Sequence, residues 1–113
     1  SKKNKRIIAK TDLKNTVSLK TAIIENECII NLNSSIGHDS KIAQNVLILP
    51  GANISGNCII HEKTLVGSNA FIYQGVTVGK NNSIDALTYI RKDLDDDMIS
   101  TSVSTKSLKK MTP

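Results

Sequence analysis

From Ile24 to Ile90 a branched aliphatic residue returns at every sixth position without a miss: Ile24, Ile30, Ile36, Ile42, Ile48, Ile54, Ile60, Val66, Ile72, Val78, Ile84 and Ile90. A fixed short period sets the architecture before any other feature is considered. Four residues after each aliphatic stands a small or medium-sized residue: Cys28, Ser34, Ser40, Val46, Ala52, Cys58, Thr64, Ala70, Val76, Asn82 and Thr88. Three residues after it stands Asn, Gly or Asp in most units: Asn33, Asp39, Asn45, Gly51, Asn57, Asn69, Gly75 and Asn81. Even spacing within a unit suits a short strand, because alternate side chains share a face. Asn, Gly and Asp tolerate left-handed backbone angles, so their shared phase predicts a sharp corner after each strand. Three units, about eighteen residues, then close one triangular turn of a parallel β-helix. The aliphatic points inward and stacks on its equivalents in neighbouring coils. The small residue also points inward, where the corner leaves less room.

A weaker form of the period precedes the regular one, at Ile7, Leu13 and Leu19. The step from Leu19 to Ile24 is one short, which predicts a residue lost at a corner or an irregular first coil; terminal repeats are commonly atypical. Counting from Ile7 predicts about five coils. The expected organisation is a basic tail over residues 1–6, a β-helix over 7–105 with regular units over 24–90, and a basic tail over 106–113. No insertion interrupts Ile24 to Ile90. Arg91 to Met98 reads as a charged turn, and Ile99 to Thr105 as a short strand covering the last coil.

Composition agrees with thin coils. Hydrophobic residues make up 39% of the chain but aromatics only 3%, whereas a globular core usually takes bulk from aromatics. The net charge of +5 gathers at the ends, in Lys2, Lys3, Lys5 and Arg6 and in Lys106, Lys109 and Lys110. Such clusters serve solubility and end-capping, or attract a phosphorylated ligand. Without interleaved aromatics they do not suggest nucleic-acid binding. No apolar run approaches the length of a membrane span and no signal peptide is visible, so the expected compartment is the cytoplasm. Cys28 and Cys58 fall at the small inward position of different coils and are expected as buried, reduced thiols.

The candidate site is Ile36-Gly37-His38-Asp39. His38 falls at a corner and points outward. It is either a solvated turn histidine or a general base oriented by the neighbouring Asp39 carboxylate; imidazole titrates near neutrality and can take a proton from a hydroxyl or amine. Gly56 falls one coil further along the same edge. On spacing alone it reads as a turn glycine. His61, the other histidine, follows Ile60 on a different face and reads as a surface residue.

The hexad pattern resembles the hexapeptide-repeat acyltransferases, which implies an all-β, left-handed parallel β-helix. The stretch Asn31-Leu32-Asn33-Ser34-Ser35-Ile36-Gly37-His38-Asp39, followed by Leu49-Pro50-Gly51-Ala52 and Ile54-Ser55-Gly56-Asn57, resembles the sialic-acid O-acetyltransferase and bacillosamine N-acetyltransferase type. That resemblance implies acetyl-CoA as co-substrate and a sugar amino or hydroxyl group as acceptor. It implies His38 as base and Asp39 as its partner, Gly56 at the thioester carbonyl, and Asn31 lining the acceptor pocket. Ser102-Val103-Ser104-Thr105-Lys106 falls where the family places a segment near the coenzyme, and keeps its Val103 and Lys106. Leu47 stands where the family often has a second histidine beside the sugar. The resemblance further implies a homotrimer with active sites between subunits, and neither metal nor covalent intermediate. The γ-class carbonic anhydrases share the fold but need three histidines, and this chain has two. The alternative is a non-catalytic β-helix, a scaffold or trimerisation module.

Overall fold

The computed structural model describes residues 17–18, 21–102 and 107–111. Among the described residues, fourteen two-residue strands, numbered in chain order, form three parallel sheets. The first sheet holds β1 (Val17–Ser18), β4 (Ser35–Ile36), β7 (Asn53–Ile54), β10 (Phe71–Ile72) and β13 (Tyr89–Ile90). The second holds β2 (Ile23–Ile24), β5 (Lys41–Ile42), β8 (Ile59–Ile60) and β11 (Thr77–Val78). The third holds β3 (Ile29–Ile30), β6 (Leu47–Ile48), β9 (Leu65–Val66), β12 (Ser83–Ile84) and β14 (Ile99–Ser100). Paired strands lie 18 residues apart, as Ile36 pairs with Ile54, except β12 and β14, which lie 16 apart. The fold is therefore a parallel β-helix, consistent with the expected left hand, with about four turns in the described residues.

The physical role assigned to each position of the period is the one it plays. The aliphatics form three inward columns, all buried, from Ile24 at 4% exposed to Ile90 at 6%. Burial of one such side chain is worth about 1.5–3 kcal/mol, so the columns are the main source of stability. The corner residue three places on has positive φ in every unit from Ile24 to Ile84, as at Asn33 (60°), Asp39 (59°), Gly75 (82°) and Asn81 (55°). The corner is imposed even on residues ill suited to it: Glu27 (63°), Lys63 (60°) and Leu87 (63°).

The small inward position is buried too, and its polar members follow a rule. Five of them, those up to Thr64, donate to the first corner carbonyl 15 residues on: Cys28 Sγ to Ala43 O (3.0 Å), Ser34 Oγ to Leu49 O (3.1 Å), Ser40 Oγ to Ser55 O (2.7 Å), Cys58 Sγ to Tyr73 O (3.1 Å) and Thr64 Oγ1 to Gly79 O (3.0 Å). A buried hydroxyl or thiol is tolerated here because the next coil supplies an acceptor at a fixed place. The two cysteines are free and buried, and burial pushes both thiols above the ordinary thiol pKa.

The ends depart from the simple count. β1 pairs Ser18, not Leu19, with Ile36. The regular register thus continues back through Ser18, and the residue expected to be lost before Ile24 is not lost. At the other end the last coil is two residues short, since Val78 bridges Leu94 and Ile84 pairs with Ser100. The aspartate run closes it: Asp93 Oδ1 accepts the Thr77 N–H (2.8 Å), Asp96 Oδ1 the Lys80 N–H (2.8 Å) and Asp97 Oδ1 the Asn81 amide (2.8 Å). Asn82 adds three donated bonds, to Gly79 O, Lys80 O and Asp95 O. Of the strand expected over Ile99 to Thr105, the described pairing is Ile99–Ser100.

Candidate active site

His38 lies in the corner joining β4 to β5. Two hydrogen bonds and one left-handed residue fix its backbone and that of its neighbour. His38 O accepts the Asn57 N–H at 2.8 Å, Asp39 N–H donates to Thr21 Oγ1 at 3.0 Å, and Asp39 takes the left-handed conformation. That conformation turns the Asp39 carboxylate back on the ring, where Oδ2 lies 3.2 Å from Nδ1. Both side chains are about half exposed, so the pair adds at most about 1 kcal/mol of stability and serves mainly to orient. With Nδ1–H donating to Oδ2, Nε2 carries the lone pair and faces away from the carboxylate.

Gly56 occupies the same corner one coil on. Its own conformation does not demand glycine: the left-handed residue of that corner is Asn57, at 59°. The demand comes from His38. A β-carbon on Gly56 would lie 2.7 Å from Cε1 and 2.8 Å from Cδ2 of the ring, and would also meet Nε2. Gly56 is buried beneath the imidazole, and no described residue accepts its N–H. The N–H at this corner position likewise finds no acceptor among the described residues at Leu32, Gln44, Glu62 and Ser68; what sets Gly56 apart is that the His38 ring packs on it.

The remaining expected residues are placed differently. Asn31 lies in the corner after β3, on another edge, where its amide donates to Ile48 O at 2.8 Å. Leu47, in β6, points outward from the third sheet between Ile29 and Leu65 and is half-buried. Within one chain neither is brought to His38. Lys106 and Val103 lie outside the described residues. His61 is exposed on a further edge, and the described residues hold no group of three His, Cys, Asp or Glu side chains able to bind a metal.

Counting in coils from Gly37 and His38 finds residues that reading the linear sequence missed. The same edge continues through Ser55 and Gly56 to Tyr73 and Gln74, then to Arg91 and Lys92. There a hollow of about 520 Å³ is lined by Tyr89, Ile90, Arg91, Lys92 and Leu94. Phe71 and Tyr73 stack edge-on against Tyr89, with centroids 5.4 and 6.3 Å away, and the Arg91 guanidinium carbon is 5.9 Å from the Tyr89 centroid. Every aromatic residue of the chain is in this cluster, and each is at least 38% exposed.

No family model matches the chain, and no curated protein sequence does. Solved structures match it. Serine acetyltransferase isoform 3 from Entamoeba histolytica, in complex with cysteine, superposes with a TM-score of 0.78 at 19% identity over 84% of this chain and 37% of that one. The likeness is one of fold. The acetyltransferase domain of PglB from Neisseria gonorrhoeae, in complex with acetyl coenzyme A, gives 0.63 at 16% identity over 80% of this chain and 53% of that one. PerB from Caulobacter crescentus, in complex with CoA and GDP-perosamine, gives 0.53 at 22% identity over 75% and 50%. The chain thus spans between about a third and a half of each of these structures. Among the described residues no helix is long and apolar enough to cross a membrane.

Proposed function

We propose that the chain is an acetyl-CoA-dependent acetyltransferase whose acceptor is an amino or hydroxyl group of a sugar. The observation that carries this reading is the packing of the His38 imidazole on Gly56, which sets a proton acceptor beside an unpartnered N–H donor. Nε2 takes the proton of the acceptor group as its nitrogen or oxygen attacks the thioester carbonyl carbon. The carbonyl oxygen becomes an oxyanion, and the Gly56 N–H donates to it. The tetrahedral intermediate collapses, the C–S bond breaks, and the departing thiolate takes the proton from the imidazolium. Asp39 keeps the ring oriented and stabilises its charged form. Neither metal nor covalent enzyme intermediate enters.

The edge also suits the length of the donor. Coils repeat about every 4.8 Å, so Lys92, two coils beyond Gly56, lies about 10 Å from it along the edge, and its long side chain extends the reach. The pantetheine arm between sulfur and diphosphate spans on the order of 15 Å when extended, from standard bond lengths. With the thioester at Gly56, the diphosphate reaches Arg91 and Lys92. Asn31, Leu47 and Lys106 then belong to the site through a neighbouring copy in a homotrimer, with the coenzyme in the groove between subunits. A sugar acceptor is supported by the likeness to PglB and PerB, the latter bound to GDP-perosamine.

The test is thiol release from acetyl-CoA with a panel of amino sugars and nucleotide sugars, with wild type beside His38→Ala. Turnover in wild type, lost in the variant while calorimetry still detects desulfo-CoA, is the expected result. A well-folded trimer that binds no acetyl-CoA would instead be a scaffold.

A further inference from the structure

We propose that Gly37 is a positioning residue for the His38–Gly56 pair, acting through the backbone of the next coil. This rests on the acetyltransferase reading for its catalytic consequence, but not for its geometry. Gly37 has no positive φ, so conformational freedom does not explain the glycine. Close approach does. A β-carbon at Gly37 would lie 2.5 Å from Gly56 N, 2.6 Å from Ser55 C and 2.9 Å from Gly56 Cα. These are backbone atoms and cannot swing aside. Gly37 N–H donates to Ile54 O at 2.7 Å, at the short end: the other equivalent bonds run from 2.8 Å at Ala43 to 3.1 Å at Ser55.

Two absences of a side chain therefore interlock. Without a β-carbon at Gly37, the coil bearing His38 settles onto the Gly56 amide. Without one at Gly56, the ring of His38 folds down beside that amide. Either glycine alone leaves the base and the donor apart. Other first-corner positions of the repeat carry side chains as large as Asn31, Leu49, His61 and Tyr73, so the repeat itself does not require glycine at this place.

The same close approach recurs at Gly67, whose β-carbon would lie 2.5 Å from Ala86 N, on an edge without histidine. Gly67→Ala is thus a matched control with the same kind of clash, two coils beyond Asn31 and at no residue assigned to the site. Gly37→Ala should lower turnover at least tenfold with KM for acetyl-CoA within about twofold of wild type, and Gly67→Ala should keep turnover within about twofold. Both should lower the thermal midpoint. Equal losses of turnover in the two variants, or none in Gly37→Ala, would overturn the proposal.

Two nuclear magnetic resonance readouts separate this from the functional reading. In wild type, the Gly37 α-protons should show cross-relaxation to the Gly56 amide proton, and the His38 ring to the Gly56 α-protons. Their absence overturns the interlock even if Gly37→Ala fails to fold. In Gly37→Ala, the His38 ring nitrogens should shift while those of His61 stay. If wild type does not turn over, the functional reading fails and these resonances still decide the positioning.

Discussion

The ring of His38 and the backbone of Gly56 are in direct register on adjacent coils, so closely that a methyl group on Gly56 would lie 2.7 Å from Cε1. Gly56→Ala therefore cannot keep the ring where it is. The ring must rotate off the corner, away from the amide it covers. We expect kcat to fall about 100-fold, the scale of losing one oxyanion donor. Binding of desulfo-CoA should stay within a few-fold, since the rest of the edge is untouched. Full turnover in this variant would mean that the reaction does not use this N–H.

Sequence reading reached most of the fold because the β-helix repeats one small decision. The columns Ile36-Ile54-Ile72 and Ile30-Ile48-Val66 are visible as a period, and so are the left-handed corners at Asn33, Asp39 and Asn45. The ends were harder. Ser18 takes an aliphatic position in the register, so hydrophobicity pointed to Leu19 instead. Asp93, Asp96 and Asp97 read as a charged turn, yet their carboxylates cap backbone and side-chain donors of a shortened coil. At the site, His38, Asp39 and Gly56 were legible from motif and coil count. Thr21, Tyr73, Arg91 and Lys92 were not, because their nearness to that edge appears only in steps of a whole coil. Asn31 and Leu47 lie on other parts of the same chain, which one copy cannot bring to His38.

Ser40 sits directly under the site, with its hydroxyl donating to Ser55 O at 2.7 Å and accepting the Cys58 N–H at 3.1 Å. Ser40→Ala strands both groups in a buried corner. The expected cost is about 1–3 kcal/mol, measured as a lower denaturant midpoint with unchanged slope. Ser34→Ala should cost less, because that hydroxyl has a single bonded partner, Leu49 O. Equal losses would show that the accepted N–H contributes nothing.

Leu87 holds a left-handed corner at φ 63° while 71% exposed. It bears the strain of that conformation without much packing in return. Leu87→Asn should raise stability by about 1 kcal/mol, since Asn tolerates the angle and little buried area is lost. Lys63→Asn should act in the same direction at its own corner. A lower midpoint for Leu87→Asn would instead show that the leucine is covered in the assembled protein.

The buried thiols make stability depend on pH. Burial raises the pKa of Cys28 and Cys58 in the folded chain, so above the ordinary thiol pKa the unfolded chain loses protons that the folded chain keeps. The unfolded state then binds fewer protons, and stability falls as pH rises through that range, until the folded thiols ionise as well. Denaturant midpoints should accordingly be level across neutral pH and decline in the alkaline range. The variant with both cysteines changed to alanine should start lower, from the lost packing and the lost bonds to Ala43 O and Tyr73 O, but show a shallower alkaline decline. In the folded wild type neither thiol should react with an aromatic disulfide at mildly alkaline pH, and both should react on unfolding. Rapid labelling of the folded chain, with the alkaline decline unchanged in the double variant, would show that these thiols are not enclosed by the coils.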